Sequence, residues 1–166
     1  MIGSVMVTGH RPSDLSGTQI NFAKSSLVKL AGGLQENGMT EAISGMALGA
    51  DTWWALTALA LDIPLAAYIP FQAQASDWMD YDKVLWSDIR RRAQREVLVS
   101  RTGSSRRAQL FHARNDRMVN DCDVAIAVWC PSKTTGGTAS TVKKLRATTK
   151  PILIVDLDRL EIHKEN

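Results

Sequence analysis

Two glycine-containing loops hold the residues of this chain best suited to binding a phosphate. The first, Ser44-Gly45-Met46-Ala47-Leu48-Gly49-Ala50-Asp51, follows a short apolar run and enters a helical segment. The second has Gly136 and Gly137 at its centre and precedes the last helical segment. Glycine lets the backbone approach a ligand closely, and the start of a helix offers free N–H groups and the positive end of its dipole. Together the two loops predict a nucleotide-type ligand.

Other polar residues are predicted to join these loops. The first strand ends in a hydroxyl, an imidazole and a guanidinium, and a later helix carries an arginine followed by an asparagine, which suit contacts with a phosphate and with a base edge or sugar. We expect the ligand to be bound by Thr8, Gly9, His10, Arg11, Ser44, Gly45, Met46, Gly49, Asp51, Phe71, Arg114, Asn115, Gly136, Gly137 and Thr138.

Three of these residues have ordinary alternatives. His10 is a hydrogen-bond donor, a general acid or a loop residue packed under its neighbours. Asp51 either accepts hydrogen bonds from ribose hydroxyls or caps the helix that it begins. Arg114 either contacts the ligand or lies on a helix surface beside a capping asparagine. Five further aromatic residues are candidates for stacking on a base, with core or interface packing as the alternative: Trp53, Trp54, Trp78, Tyr81 and Trp86.

Short apolar runs alternate with helix-length amphipathic segments along the whole chain. Strands are predicted at residues 5–8, 41–44, 64–69, 96–100, 124–129 and 151–155, and helices at 19–36, 50–61, 81–93, 107–120 and 139–147. This alternation predicts an α/β fold with a doubly wound, mostly parallel sheet of about six strands and helices on both faces. In such sheets a ligand binds beyond the carboxyl ends of the strands, where the predicted site residues lie.

Length and composition set further limits. The 166 residues fit one domain, predicted to span residues 1–160, followed by a charged tail at residues 161–166. No apolar run is long enough for a membrane span, and the N-terminus does not resemble a secretory signal, so we expect a cytoplasmic protein with no membrane partner. Because Cys122 and Cys130 are far apart on one strand and the histidines are scattered, we predict no disulfide, no metal and no cofactor.

The formal net charge is only +3, but the arginines are unevenly distributed. Nine of them lie between residues 90 and 117, at positions 90, 91, 92, 95, 101, 106, 107, 114 and 117. Such a cluster suits recognition of phosphate or carboxylate, which includes single-stranded nucleic acid as a partner. The alternative is a solvated helix face with ordinary ion pairs.

Five motifs, in order along nearly the whole chain, resemble the SLOG superfamily, and most closely its YpsA-like branch from bacteria and their phages. They are Val7-Thr8-Gly9-His10-Arg11-Pro12, Ser44 to Asp51, Ile69-Pro70-Phe71, Arg114-Asn115-Asp116-Arg117-Met118-Val119 and Gly136-Gly137-Thr138. The resemblance implies a Rossmann-like fold that binds nucleotides or nucleotide-derived ligands at the strand-end edge. It also implies a homo-oligomer, for which the tryptophans offer apolar surface.

Two related groups imply different activities. Phosphoribohydrolases of the LOG type release a base from a nucleoside monophosphate by means of a Pro-Gly-Gly-x-Gly-Thr-x-x-Glu motif, and Thr141 occupies the position of its glutamate. Because threonine cannot act as that carboxylate, Asp51 and Asp116 are the remaining catalytic candidates. The DNA-processing protein A family binds single-stranded DNA and has a loop similar to Ser44–Asp51. We therefore expect a nucleotide-binding sensor or sequestering protein, with a nucleotide N-glycosidase and a single-stranded DNA-binding protein as alternatives.

Overall fold

The computed structural model describes residues 1–102 and 106–166. Its strands are β1 (Gly3–Gly9), β2 (Met39–Ser44), β3 (Leu65–Phe71), β4 (Arg95–Ser100), β5 (Val124–Trp129), β6 (Ile152–Asp156) and β7 (Glu161–Glu165). Its helices are α1 (Gly17–Glu36), α2 (Ala50–Ala60), α3 (Asp80–Arg92), α4 (Arg107–Asp121) and α5 (Gly137–Arg146), and a short 3-10 helix spans Pro12–Asp14. The six predicted strands and five predicted helices are all present, with ends shifted by a few residues.

The strands form one sheet in the order β4-β3-β2-β1-β5-β6-β7. Every neighbouring pair is parallel except β6 and β7. The chain builds one half of the sheet from β1 to β4, then returns beside β1 and builds the other half from β5 outward. The boundary between β1 and β5 is the topological switch point, where a sheet of this kind leaves a crevice at the strand ends.

Alternating side chains of the central strands cover two cores, one on each face of the sheet. Val5, Val7 and Val128 pack with residues of α1, α2 and α3, whereas Met6 and Ala127 pack with residues of α4 and α5. Strands buried on both faces are typical of a parallel sheet covered by two layers of helices. The predicted α/β, doubly wound fold is therefore confirmed.

The segment after residue 160 forms a seventh strand, β7, rather than the charged tail that we predicted. It pairs antiparallel with β6, and the guanidinium of Arg146 holds the Glu165 carboxylate through two hydrogen bonds of 2.8 Å. Ile162 is the only apolar residue of this strand and packs against the core. The hydrophobic pattern is weak because β7 is a mostly exposed edge strand, and charged side chains on such an edge discourage pairing with other chains.

Candidate functional site

A cavity of about 710 Å³ opens at the carboxyl ends of β1 and β5. This size is within the range of small-molecule sites. Its walls come from the loop after β1, the start of α2, one face of α4 and the loop that leads into α5. The lining residues are Val7, Thr8, Gly9, His10, Arg11, Asp14, Ala47, Asp51, Ala108, Phe111, His112, Arg114, Asn115, Lys133, Thr135, Gly136, Gly137 and Thr138.

His10 follows β1, lines the cavity and contacts the start of α2 and the segment after β5. Its carbonyl accepts a hydrogen bond from the Ala50 N–H at 3.4 Å, and its Nε2 accepts one from the Cys130 N–H at 3.0 Å. An Nε2 that accepts must be unprotonated, so the neutral imidazole carries its proton on Nδ1. Burial, and then the nearby ammonium of Lys133, lower the pKa of His10 from its usual value. The neutral ring can therefore donate from Nδ1 to a ligand.

The loop from Gly45 to Gly49, named here the first glycine loop, is closely packed against the protein. The Ser44 hydroxyl donates to the carbonyl of Asp51 at 2.8 Å and accepts from the Met46 N–H at 3.1 Å. Gly49 has a φ of 90°, and a Cβ there would lie 2.4 Å from the carbonyl oxygen of His10. This loop therefore needs glycine in order to hold its shape and dock on the end of β1.

Asp51 and Arg114 lie side by side in the cavity wall, with exposed fractions of only 7% and 5%. Asp51 Oδ2 accepts a hydrogen bond from the Ala47 N–H at 3.2 Å. Arg114 donates from Nε to Asn115 Oδ1 at 2.8 Å and from Nη1 to the carbonyl of Gly45. Burial raises the pKa of Asp51, although the Arg114 charge opposes this shift, and burial lowers the pKa of Arg114. Burial thus makes the charged form of each of these two side chains costly in free energy.

The second glycine loop, Gly136–Thr138, is open where the first is packed. Gly136 has a φ of 102°, and a Cβ added to Gly136 or Gly137 would meet no atom within 4 Å. Among the described residues, no group accepts a hydrogen bond from the backbone N–H of Gly137, Thr138 or Ala139 at the start of α5. These donors and the positive end of the helix dipole suit an anion that enters the cavity.

One face of α4 forms an aromatic wall of the cavity. Ala108, Phe111, His112 and Asn115 recur at helical spacing and all line it. Phe71 lies behind this wall, with its ring centroid 5.5 Å from that of Phe111 in an edge-to-face arrangement. Among the described residues, Phe111 is the one Phe, Tyr or Trp that lines the cavity, and the Arg114 guanidinium carbon lies over its ring, 5.7 Å from the centroid.

The mouth of the cavity carries both signs of charge. Lys133 donates from Nζ to the carbonyl of Asp14 at 3.0 Å and so links the loop after β5 to the 3-10 helix. Arg11 lies nearby on the same edge. With Arg114, these residues give the lining three cations against the carboxylates of Asp14 and Asp51.

The structure brings ten of the predicted site residues together: Thr8, Gly9, His10, Arg11, Asp51, Arg114, Asn115, Gly136, Gly137 and Thr138 line the cavity. Ser44, Gly45, Met46, Gly49 and Phe71 lie outside the lining and support it from behind. Of the two catalytic candidates, Asp116 lies outside the lining and pairs with Lys144. The Thr141 hydroxyl donates to the carbonyl of Gly137 at 3.0 Å inside α5.

Sequence reasoning missed several lining residues, among them Asp14, Phe111, His112 and Lys133. Phe111 and His112 precede Asn115 by four and three positions, so helical periodicity was a usable signal for them. Asp14, in the 3-10 helix, and Lys133, in the loop after β5, meet only in the folded chain, and no local pattern marks them.

A cluster of metal-type ligands lies elsewhere, on the β6–β7 hairpin. Ligand atoms of Asp156, Glu161 and His163 all lie within 4.8 Å of one another. Asp156 already accepts hydrogen bonds from two backbone N–H groups, and Glu161 is 3.7 Å from Arg159. Turn formation and ion pairing therefore account for the cluster. Across residues 1–102 and 106–166, no helix has the length and apolar character that a membrane span requires.

A parallel sheet with a polar cavity at its switch point defines a Rossmann-like α/β protein. The chain belongs to the YspA SLOG family, whose model matches residues 5–160. Among curated proteins, none is significantly similar to it.

Several solved structures share the fold. DNA processing protein A from Streptococcus pneumoniae is 20% identical with a TM-score of 0.67, and the match covers 92% of this chain and 50% of that one. DNA processing protein A from Helicobacter pylori, whose structure shows a single-stranded DNA binding mode, is 20% identical with a TM-score of 0.65. The match covers 91% of this chain and 64% of that one. The chain thus spans between half and two thirds of these proteins. The molybdenum cofactor carrier protein of Chlamydomonas reinhardtii is 17% identical with a TM-score of 0.56, covering 93% and 76%.

Proposed function

We propose that this protein binds a nucleotide or nucleotide-derived small molecule in the cavity at the ends of β1 and β5. The observation that carries the proposal is the open start of α5, where three backbone N–H groups lack partners among the described residues and both glycines leave room for an anion. The arrangement suits a phosphate, because a helix N-terminus stabilises negative charge.

The remaining walls suit the other parts of a nucleotide. Phe111 offers a ring for stacking, since aromatic faces pack well against a base. The Asn115 side chain uses its oxygen to accept from Arg114 Nε, so its amide N–H groups are left to donate to a base or sugar. A phosphate pocket, an aromatic wall and directed polar groups in one cavity support a binding role as a sensor or sequestering protein.

A thermal-shift panel tests this proposal. It contains nucleoside mono- and diphosphates, cyclic nucleotides, ADP-ribose and a single-stranded oligonucleotide. A compound at 100 times its dissociation constant should stabilise the fold by about 2.7 kcal/mol. The matched variants are Gly137→Ala in the cavity and Gly32→Ala in α1, since neither added methyl group meets any atom within 4 Å. Loss of the response only in Gly137→Ala is the expected result, and no response to any nucleotide contradicts the proposal.

A nucleotide N-glycosidase is the second candidate, and Asp51 favours it. This carboxylate lines the cavity and burial raises its pKa, as in many general acids and bases. The activity predicts release of free base from a nucleoside monophosphate, abolished in Asp51→Asn. Asp116→Asn is the control, because Asp116 lies outside the lining and pairs with Lys144. Base release that survives in Asp51→Asn counts against this candidate.

Single-stranded nucleic acid is the third candidate, and the ion pairs weigh against it. Six arginines of the basic segment are paired with carboxylates: Arg90, Arg91, Arg92, Arg95, Arg107 and Arg117. Binding of the oligonucleotide that weakens steeply with salt would favour this candidate.

The homo-oligomer and the cytoplasmic location stay predictions, and light scattering on the purified chain checks the first. Met79, Tyr81 and Val84, at the start of α3, are each at least 70% exposed and offer apolar surface for it.

A further inference from the structure

Asp51 and Arg114 are buried, adjacent and only partly satisfied. The Ala47 N–H engages one oxygen of Asp51, and in the part of the chain that the structure describes nothing donates to the other. Arg114 uses Nε and Nη1, whereas its Nη2 has no hydrogen-bond partner among those residues. The two groups form no direct ion pair there. Each therefore keeps one hydrogen-bonding position for a molecule in the cavity.

Gly45 sets the spacing of the two groups. A Cβ at position 45 would lie 2.6 Å from Arg114 Nη1 and 2.7 Å from Asp51 Oδ2, so both atoms flank the same point on the backbone. The absence of a side chain lets the carboxylate and the guanidinium approach the loop from two sides. The result is an acceptor and a donor presented together at the cavity wall.

A hydroxyl is the group that matches such a pair, because it donates one hydrogen bond and accepts others. An anion at this position would be repelled by Asp51, and an ammonium would be repelled by Arg114. We propose that Asp51 and Arg114 together recognise a sugar hydroxyl, and that the cavity accordingly selects ribonucleotides over their deoxy counterparts. This inference rests on the proposed function, since it assigns the sugar of the same nucleotide.

The proposal also orients the ligand. Asp51 repels negative charge in the part of the cavity that it lines, whereas the start of α5 attracts negative charge where its free N–H groups lie. A molecule with a phosphate at one end and hydroxyls at the other satisfies both walls.

Isothermal titration of the wild-type protein tests the proposal directly. The probes are the four ribonucleoside 5′-monophosphates and their 2′-deoxy and 2′,3′-dideoxy counterparts. We expect the best-bound ribonucleotide to bind at least about tenfold more tightly than its dideoxy counterpart, because loss of the hydroxyl leaves buried polar groups unpaired. The comparison needs no variant, so a folding defect cannot obscure it.

Asp51→Asn then assigns the effect to the carboxylate. The asparagine keeps an oxygen for the Ala47 N–H but offers a donor where the carboxylate offered an acceptor. We expect the preference for the ribonucleotide to fall below about threefold, and to remain in Asp116→Asn.

The outcomes separate the two claims. Equal binding of ribose and dideoxy compounds by the wild-type protein overturns the hydroxyl site while the proposed function stands. A preference that persists in Asp51→Asn also overturns the role given to Asp51. If none of the monophosphates binds, the hydroxyl site as proposed here is overturned, whereas the proposed function is decided by the wider thermal-shift panel.

Discussion

The two glycine loops look alike in the sequence and differ in what surrounds them. In the first loop, side-chain atoms at Gly45 or Gly49 would collide with Arg114, Asp51 or His10. In the second, Gly136 and Gly137 border empty space within the cavity. In the first loop glycine is required for packing, whereas in the second it leaves open space beside the backbone. A glycine motif is therefore a candidate ligand site only where the space beside it is free.

Gly49→Ala and Gly136→Ala should separate packing from backbone strain, and they carry the largest expected effect. Both glycines have a positive φ, which costs a side chain roughly 1–3 kcal/mol. Gly49→Ala adds a collision with the carbonyl of His10, so we expect it to lower the free energy of unfolding by about 3 kcal/mol or more. Gly136→Ala should lose only about 1–2 kcal/mol. Urea denaturation of both variants makes the measurement, and equal losses would refute the contrast.

Gly137→Ala tests whether an anion must reach the start of α5, and it does so without adding backbone strain. Its φ is not in the left-handed region and its surroundings are open, so the free energy of unfolding should change by less than about 0.5 kcal/mol. A methyl group there obstructs an anion at the start of α5, and we expect nucleotide affinity to fall about tenfold, or about 1.4 kcal/mol. Titration calorimetry beside Gly32→Ala supplies the comparison. Unchanged affinity would mean that the open loop does not hold the phosphate.

Asp51→Asn probes the electrostatic cost of burying the Asp51 carboxylate. Burial raises the pKa of Asp51 in the folded protein, so its protonated form is favoured there. As the pH rises above about 4, the unfolded chain ionises first and the wild type loses stability until the folded pKa is passed. Asp51→Asn cannot ionise, so its stability relative to the wild type should increase over this range, by about 1.4 kcal/mol for each unit of raised pKa. Unfolding curves at several pH values check the trend, with Asp116→Asn as control.

His10 supplies the smallest effect, and it links the start of α2 to the segment after β5. Because burial lowers its pKa, the folded protein disfavours the charged imidazole, and stability should fall as the pH drops below about 6.5. Protonation of Nε2 also removes the hydrogen bond from Cys130, worth about 0.5–1.5 kcal/mol. His10→Gln retains an acceptor but cannot titrate in this range, so its stability should lack this decline. Thermal unfolding between pH 5 and 8 compares the two proteins, and parallel profiles would count against the assignment.

The fold was predictable because its strongest signals are local and repeated. Val124 to Trp129 is apolar at every position, which indicates a central strand covered on both faces, and the structure buries all six residues. β7 gave no such signal, since one isoleucine among charged residues does not define a buried face. Its pairing depends on β6 and on the Arg146–Glu165 contact, which only tertiary structure creates.

The residues that line the candidate site were predictable where a single segment of the sequence carried the information. The end of β1 and the start of α5 are recognisable from glycines and hydroxyls that follow or precede an apolar strand. The packing of Phe71 behind Phe111 depends on which residues of α4 face β3, and the sequence does not state this. Arg114 combines both cases, because its charge is visible in the sequence but its burial beside Asp51 depends on Gly45.

The order of the strands has a mechanical consequence. β1 to β4 and β5 to β7 form two continuous halves of the chain, and they join along the single seam between β1 and β5. The cavity lies at the end of that seam and takes wall residues from both halves. A molecule bound there would contact both halves, so separating β1 from β5 would also require breaking its contacts with one half. Its occupancy would then set how readily the two halves separate.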